Sequence, residues 1–145
     1  MATFRIKRFN PEKQPEPYFE EFELDIPDGA TLLDCMNEIK WTLDGSLSYR
    51  MSCRSAICGS CAVKANGHAL LACQRQGEHL LDNDDTITLE PLGNMQPIKD
   101  IVVDFTPFWE KINKVKPYLE PKDEQPAKER NQSTEEFRTI SDYST

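Results

Sequence analysis

The stretch Cys53-Arg-Ser-Ala-Ile-Cys58-Gly-Ser-Cys61, with Cys73 after eleven further residues, places four of the five cysteines of a 145-residue chain inside twenty-one positions. Nothing resembling a secretory signal precedes them, and clustered thiols in a reducing compartment bind metal or do redox work more often than they form disulfides. The first three thiols are close enough in sequence to share a site. Cys73 is not, because eleven intervening residues in an extended chain would span roughly 35 to 40 Å. The chain between them must therefore turn back, and it carries the signal for that: Asn66-Gly67, flanked by Cys61-Ala-Val-Lys-Ala and His-Ala-Leu-Leu-Ala-Cys73, predicts a hairpin that returns Cys73 to Cys61.

Upstream, TFRIKRF (3–9) and FEEFELDI (19–26) alternate apolar and polar residues, with Phe4 and Ile6 on one face of the first and Phe22, Leu24 and Ile26 on one face of the second. They predict two half-buried strands joined by a turn through NPEKQPEP. After Asp28-Gly29 the period changes: Leu32, Met36, Ile39 and Leu43 recur at helical spacing, Thr31 is placed as N-cap and Asp34 reaches back to it, which predicts about three helical turns. Cys35 lies on that apolar face and reads as a small core residue. Downstream, TITLEP predicts another strand, so the expected fold class is α+β. A helix is expected from Thr106, capped by Thr106 with Pro107 at its first position, bearing Phe108, Trp109, Ile112 and Val115 as an apolar stripe and stopping at Pro117. The acid-rich remainder reads as a linker with one short helix at the capping box Ser133-Thr-Glu-Glu136.

The spacing C-x4-C-x2-C with a distant fourth cysteine is that of two-iron, two-sulfide ferredoxins of the plant type. Ser55, Ala56, Gly59 and Ser60 are small enough for a short loop to wrap such a cluster and turn backbone N–H groups towards sulfur. Zinc is the competing reading, since Cys58-x2-Cys61 alone makes a zinc knuckle, but four-cysteine ribbons supply two close pairs and this chain supplies one. Arg50 and Arg54 read as solvated charges that could also offset a cluster's negative charge. His68 and His79, types that replace cysteine in Rieske clusters, read as surface residues.

The net charge is −8 with the acids scattered, which argues against nucleic acid as a partner. No run of about 18 apolar residues occurs, so direct membrane insertion is not expected.

The stretch Tyr49-Arg-Met-Ser-Cys53 through Cys61-Ala, the Asn66-Gly67 turn, Leu71-Ala-Cys73, Glu90-Pro-Leu, Ile98-Lys-Asp-Ile-Val-Val-Asp104 and Lys116-Pro-Tyr-Leu119 together resemble the N-terminal ferredoxin domain of the iron–sulfur subunit of succinate dehydrogenase and fumarate reductase. The likeness covers residues 3 to 120. It implies a β-grasp domain over residues 1–105, and over 106–145 a helix and extended linker leading to a second iron–sulfur domain absent from this chain. It also implies a [2Fe-2S] cluster held by Cys53 and Cys58 on one iron and by Cys61 and Cys73 on the other. Electrons would come from FAD in a partner flavoprotein and pass towards further clusters and quinone, or the reverse, so this chain alone would catalyse nothing. Membrane-anchor subunits would be reached through the second domain, on the cytoplasmic side of the inner membrane or, in a eukaryote, the mitochondrial matrix side. The family often has glycine where this chain has Ala56, which is costly only if that residue has positive φ. The alternatives are a free-standing ferredoxin-type carrier and a zinc-stabilised interaction module.

Overall fold

The computed structural model describes residues 1–120, 124, 127–129 and 131–143. Of the linker expected within 106–145, residues 121–123, 125, 126, 130, 144 and 145 lie outside the described residues. The chain divides into two compact units, Met1–Trp109 and Glu110–Thr145.

In the first unit, β1 (Ala2–Asn10), β2 (Gln14–Leu24), β3 (Ala62–Ala65), β4 (His68–Leu71) and β5 (Thr86–Glu90) form one mixed sheet in the order β2-β1-β5-β3-β4. β1 pairs antiparallel with β2 and parallel with β5, while β3 runs antiparallel to both β5 and β4. A parallel pair cannot be closed by a tight turn. The chain between β1 and β5 accordingly contains the helix α1 (Leu32–Glu38), the cysteine loop and the β3–β4 hairpin. Alternation fixes the register: Phe4 faces Phe22 on one side and Ile87 on the other, and Ile6 faces Leu89. These side chains bury completely or nearly so against Leu32, Leu33, Met36 and Ile39. The result is the expected α+β, β-grasp arrangement of one sheet folded against one helix. A small ribbon, β6 (Pro97–Lys99) with β7 (Val102–Val103), follows β5.

Three expectations need correction. The turn between the first two strands is only Pro11–Lys13, and Gln14–Pro17 already belongs to β2. Prolines 15 and 17 are tolerated because β2 is an edge strand and a register shift falls between Arg8 and Asn10 opposite them. Thr31 and Asp34 do form the capping box, but α1 runs for seven residues and then widens into a π-helical turn over Ile39–Leu43, closed by the Asp44 N–H on the Ile39 carbonyl at 2.8 Å. That wider turn breaks the 3.6-residue register, so Leu43 is exposed rather than in the core. The helix at Thr106 is α2 (Thr106–Val115); its cap comes from upstream, where the Asp104 carboxylate accepts the Thr106 N–H at 2.9 Å and the Phe105 carbonyl accepts from Trp109. Phe108, Trp109 and Val115 on it are exposed.

In the second unit, α3 (Thr134–Tyr143) begins with the expected capping box: the Glu136 carboxylate accepts the Ser133 N–H at 2.8 Å and Ser133 Oγ accepts the Glu136 N–H at 3.2 Å. It is ten residues long, with Phe137 and Ile140 exposed.

Candidate metal centre

The hairpin does what its sequence promised. Ala62 pairs with Leu71 and Ala65 with His68 across Asn66 and Gly67, whose φ values of 46° and 83° are those of a type I′ turn. The Ala72 N–H then bonds the Cys61 carbonyl at 3.2 Å, which brings Cys61 and Cys73 side by side just beyond the open end of the ladder. Asn66 does more than turn the chain: its side chain donates to the Leu80 carbonyl at 2.6 Å and accepts from the Thr88 N–H at 2.7 Å, tying the hairpin tip to β5.

The loop from Cys53 to Ser60 is exposed except at Ala56, Gly59 and Ser60, which are half-buried, and is held largely by its own sulfurs. The Cys58 N–H points at Cys53 Sγ at 3.4 Å and the Cys53 N–H at Cys58 Sγ at 3.5 Å, a reciprocal pair. The Ser55 N–H also points at Cys53 Sγ at 3.4 Å, and the Ala56 N–H crosses to Cys73 Sγ at 3.3 Å. Backbone that turns so many N–H groups inward has to enter the left-handed region, and Arg54, Ala56 and Gly59 do so with φ of 55°, 59° and 72°. Hydrogen bonds to sulfur favour thiolate. The Ser55 hydroxyl and the N–H groups of Cys58, Ser55 and Ile57 draw the Cys53 thiol down to about 5. Ser60 and the Cys53 N–H lower that of Cys58, whereas burial raises Cys61 despite the nearby Cys73 N–H.

The four thiols thus form two pairs, Cys53 with Cys58 on the exposed loop and Cys61 with Cys73 at the sheet, linked by the Ala56 N–H. Among the described residues no three His, Cys, Asp or Glu side chains converge on a single ion. Thiols paired in this way, with N–H groups turned to sulfur, fit a group with two metal atoms and two thiolates to each. Cys35 stands apart: it is 1% exposed, packed in the core, and burial with the nearby Asp34 charge pushes its thiol up to about 11.

A sequence profile described as a 2Fe-2S iron-sulfur cluster binding domain matches residues 3–110. The chain belongs to this family. It is 43% identical over 141 residues to the 8-methylmenaquinol:fumarate reductase iron-sulfur subunit of Wolinella succinogenes, covering 94% of this chain and 44% of that protein. It is 40% identical over 136 residues to the succinate dehydrogenase iron-sulfur subunit of Coxiella burnetii, covering 92% of this chain and 56% of that one. Among solved structures, a chain of the Mycobacterium smegmatis Sdh1 complex in the apo form superposes with a TM-score of 0.76 at 25% identity, covering 99% of this chain and 58% of its own. The chain therefore spans about half the length of the curated relatives it matches.

Among the described residues, neither histidine singled out in the sequence makes a hydrogen bond to a cluster sulfur. His68 and His79 are exposed. Arg50 is less free than its sequence suggests, since Nη1 donates to the Val103 carbonyl at 2.7 Å and the guanidinium lies 5.3 Å from the centre of the Phe105 ring. Arg54 has Nη2 3.7 Å from the sulfur of Met51.

Ala56 has the costly sign of φ. A left-handed L-residue costs roughly 1–2 kcal/mol, while glycine there loses part of that gain to its freer unfolded chain. Ala56→Gly should therefore stabilise the protein by about 0.5–1 kcal/mol while keeping its N–H on Cys73. Thermal melting checks this, and a lower Tm in the glycine variant would contradict it.

Proposed function

We propose that this chain is the electron-relay part of a succinate dehydrogenase or fumarate reductase iron–sulfur subunit. In this reading Cys53 and Cys58 hold one iron of a [2Fe-2S] cluster and Cys61 and Cys73 the other. The observation that carries it is the arrangement of four thiols as two pairs with backbone N–H groups aimed at sulfur. A two-iron cluster bound there supplies one-electron transfer. The chain's own contribution is electrostatic: N–H groups of Cys53, Ser55, Ala56 and Cys58 spread the negative charge on the thiolates and so favour the reduced state. Its second contribution is access, because Cys53 and Cys58 are exposed and Ile57 between them is 83% exposed. A flavoprotein carrying FAD would dock on this loop, around Arg54 to Ser60.

Dicarboxylate chemistry belongs, in this reading, to that flavoprotein. Residues 1–105 form the ferredoxin-type domain, and 106–145 lead to a second iron–sulfur domain that contacts the membrane-anchor subunits. The uncovered apolar side chains Phe108 and Val115 of α2, and Phe137 and Ile140 of α3, are consistent with further protein packing over each helix. Among the described residues no helix is long and apolar enough to cross a membrane; in this reading the partner subunits hold the chain at the cytoplasmic or matrix side.

The test has two stages. Protein purified without oxygen should contain iron and acid-labile sulfide in equal amounts, near two per chain, and become paramagnetic on one-electron reduction; stoichiometric zinc without sulfide would refute the cluster. Succinate should then reduce the cluster only when the matching flavoprotein is present. Succinate turnover by this chain alone would overturn the relay reading, and an intact cluster that binds no flavoprotein would favour a free carrier.

A further inference from the structure

We infer that Asp100 is a positioning residue for the exposed half of the cysteine loop, acting through the segment Ser48–Arg50 that leads into it. The Asp100 side chain is 2% exposed and lies 42 residues beyond Cys58 in sequence, yet it fastens two other stretches of chain to its own. Its Oδ1 accepts from Arg8 Nε at 3.1 Å and from the Phe9 N–H at 3.0 Å, and its Oδ2 accepts from the Ser48 N–H at 2.9 Å. The main chain repeats the stitch, with the Asp100 N–H on the Phe9 carbonyl at 2.8 Å and the Ile101 N–H on the Ser48 carbonyl at 3.2 Å. Two residues on, Arg50 Nη1 holds the Val103 carbonyl at 2.7 Å. The segment entering the cysteine loop is thus laid along the segment leaving the sheet.

The two halves of the thiol cluster differ in what supports them. Cys61 is 7% exposed and continues directly into β3, and Cys73 follows β4, so the hairpin and its ladder place that pair. Cys53 and Cys58 are exposed, and their hydrogen bonds run to each other and to the loop's own backbone. Their tie to the sheet on the upstream side runs through Ser48–Arg50, only three residues from Cys53. A buried carboxylate accepting three bonds defines a position sharply, because the carboxylate would be left buried and underpaired if the geometry relaxed.

Asp100 sits at φ 46°, in the left-handed region that aspartate and asparagine tolerate. Asp100→Asn therefore tests the carboxylate without adding backbone strain, and it sets an NH2 group against either the Ser48 N–H or the Arg8 and Phe9 donors. Arg50→Lys is the second variant; it keeps the positive charge but loses the fork that bonds the Val103 carbonyl while lying on the Phe105 ring. The control is Ile6→Val, a core change away from the staple, and comparisons are made at matched loss of Tm.

This inference rests on the reading that the four cysteines hold a two-iron cluster, so iron and sulfide in the wild-type chain are measured first; a chain without cluster refutes that reading rather than this one. In the loaded protein, both variants should shift the midpoint potential of the cluster, followed by its paramagnetic signal. Both should also release iron to a chelator several-fold faster than wild type and faster than Ile6→Val. If Asp100→Asn does not fold, Arg50→Lys decides alone, since the charge near the loop is unchanged in it. Potentials and release rates at wild-type values in the variants that fold, or equal changes in the Ile6→Val control, overturn the assignment.

Discussion

Serine at any one of positions 53, 58, 61 or 73 should abolish or severely weaken cluster assembly, whereas serine at position 35 should leave the cluster intact. The difference is chemical before it is structural. A thiolate is available near neutral pH and binds iron strongly, while an alcohol at the same place is protonated and a far poorer ligand. The loop already favours thiolate at Cys53 and Cys58 through N–H and hydroxyl donors, and a serine oxygen there inherits the donors without the sulfur. Cys35 offers the opposite environment: it is buried on α1 and its thiol is pushed up to about 11 by burial. Cys35→Ser therefore costs only the burial of a hydroxyl, about 1–3 kcal/mol. Iron and sulfide content with the visible spectrum decide the matter. A Cys35→Ser protein as colourless as Cys58→Ser would mean that the ligand set is wrong.

How far such a site can be read from sequence depends on how local its determinants are. The Thr31–Asp34 capping box, the Asn66-Gly67 turn and the Ser133–Glu136 box are each complete within four residues, and each stands where the sequence places it. The return of Cys73 to Cys61 follows from one of them. Leu43 was unreadable because helical spacing assumes a constant period, and the π-helical turn after Glu38 changes it. The sign of φ at Ala56 was unreadable too, since alanine itself gives no sign of a left-handed turn; the inward N–H groups that demand it appear only when the loop is closed on its sulfurs. Most hidden was Asp100. It lies in a short run after the last long strand, and its partners are 91, 92 and 52 residues away in sequence. Arg8 was hidden by its type: alternation places it on the same face as Phe4 and Ile6, and a charged residue there gives no hint that it is 5% exposed.

Arg8→Met should be among the most destabilising single substitutions in the sheet, costing about 3–5 kcal/mol, the range for removing one partner of a buried ion pair. Arg8 Nε holds Asp100, Nη1 holds both Glu20 and Asp44, and Nη2 donates to Ser46 Oγ at 2.9 Å. Burial opposes the guanidinium's charge, but hydrogen bonds to Asp44 and Asp100 prevail and its proton is held more tightly than usual. Methionine fills the volume and withdraws every donor. Asp100 then keeps its N–H partners but loses its countercharge at 2% exposure, which is where the large cost arises. The sheet's other ion-pair cluster provides the comparison. Lys7 and Lys64 both reach Glu90, at 3.2 and 3.1 Å, but the lysines are 35% and Glu90 24% exposed, so Lys7→Met should cost less than about 1 kcal/mol. Arg8→Lys should fall between the two, because one ammonium cannot reproduce a fork that reaches four partners. If the unpaired Asp100 dominates, Arg8→Met combined with Asp100→Asn should lose clearly less stability than the sum of the single changes. Urea unfolding of the four proteins measures that coupling; strict additivity would show that the loss arises at Glu20, Asp44 and Ser46 instead of from the charge Arg8 brings to Asp100.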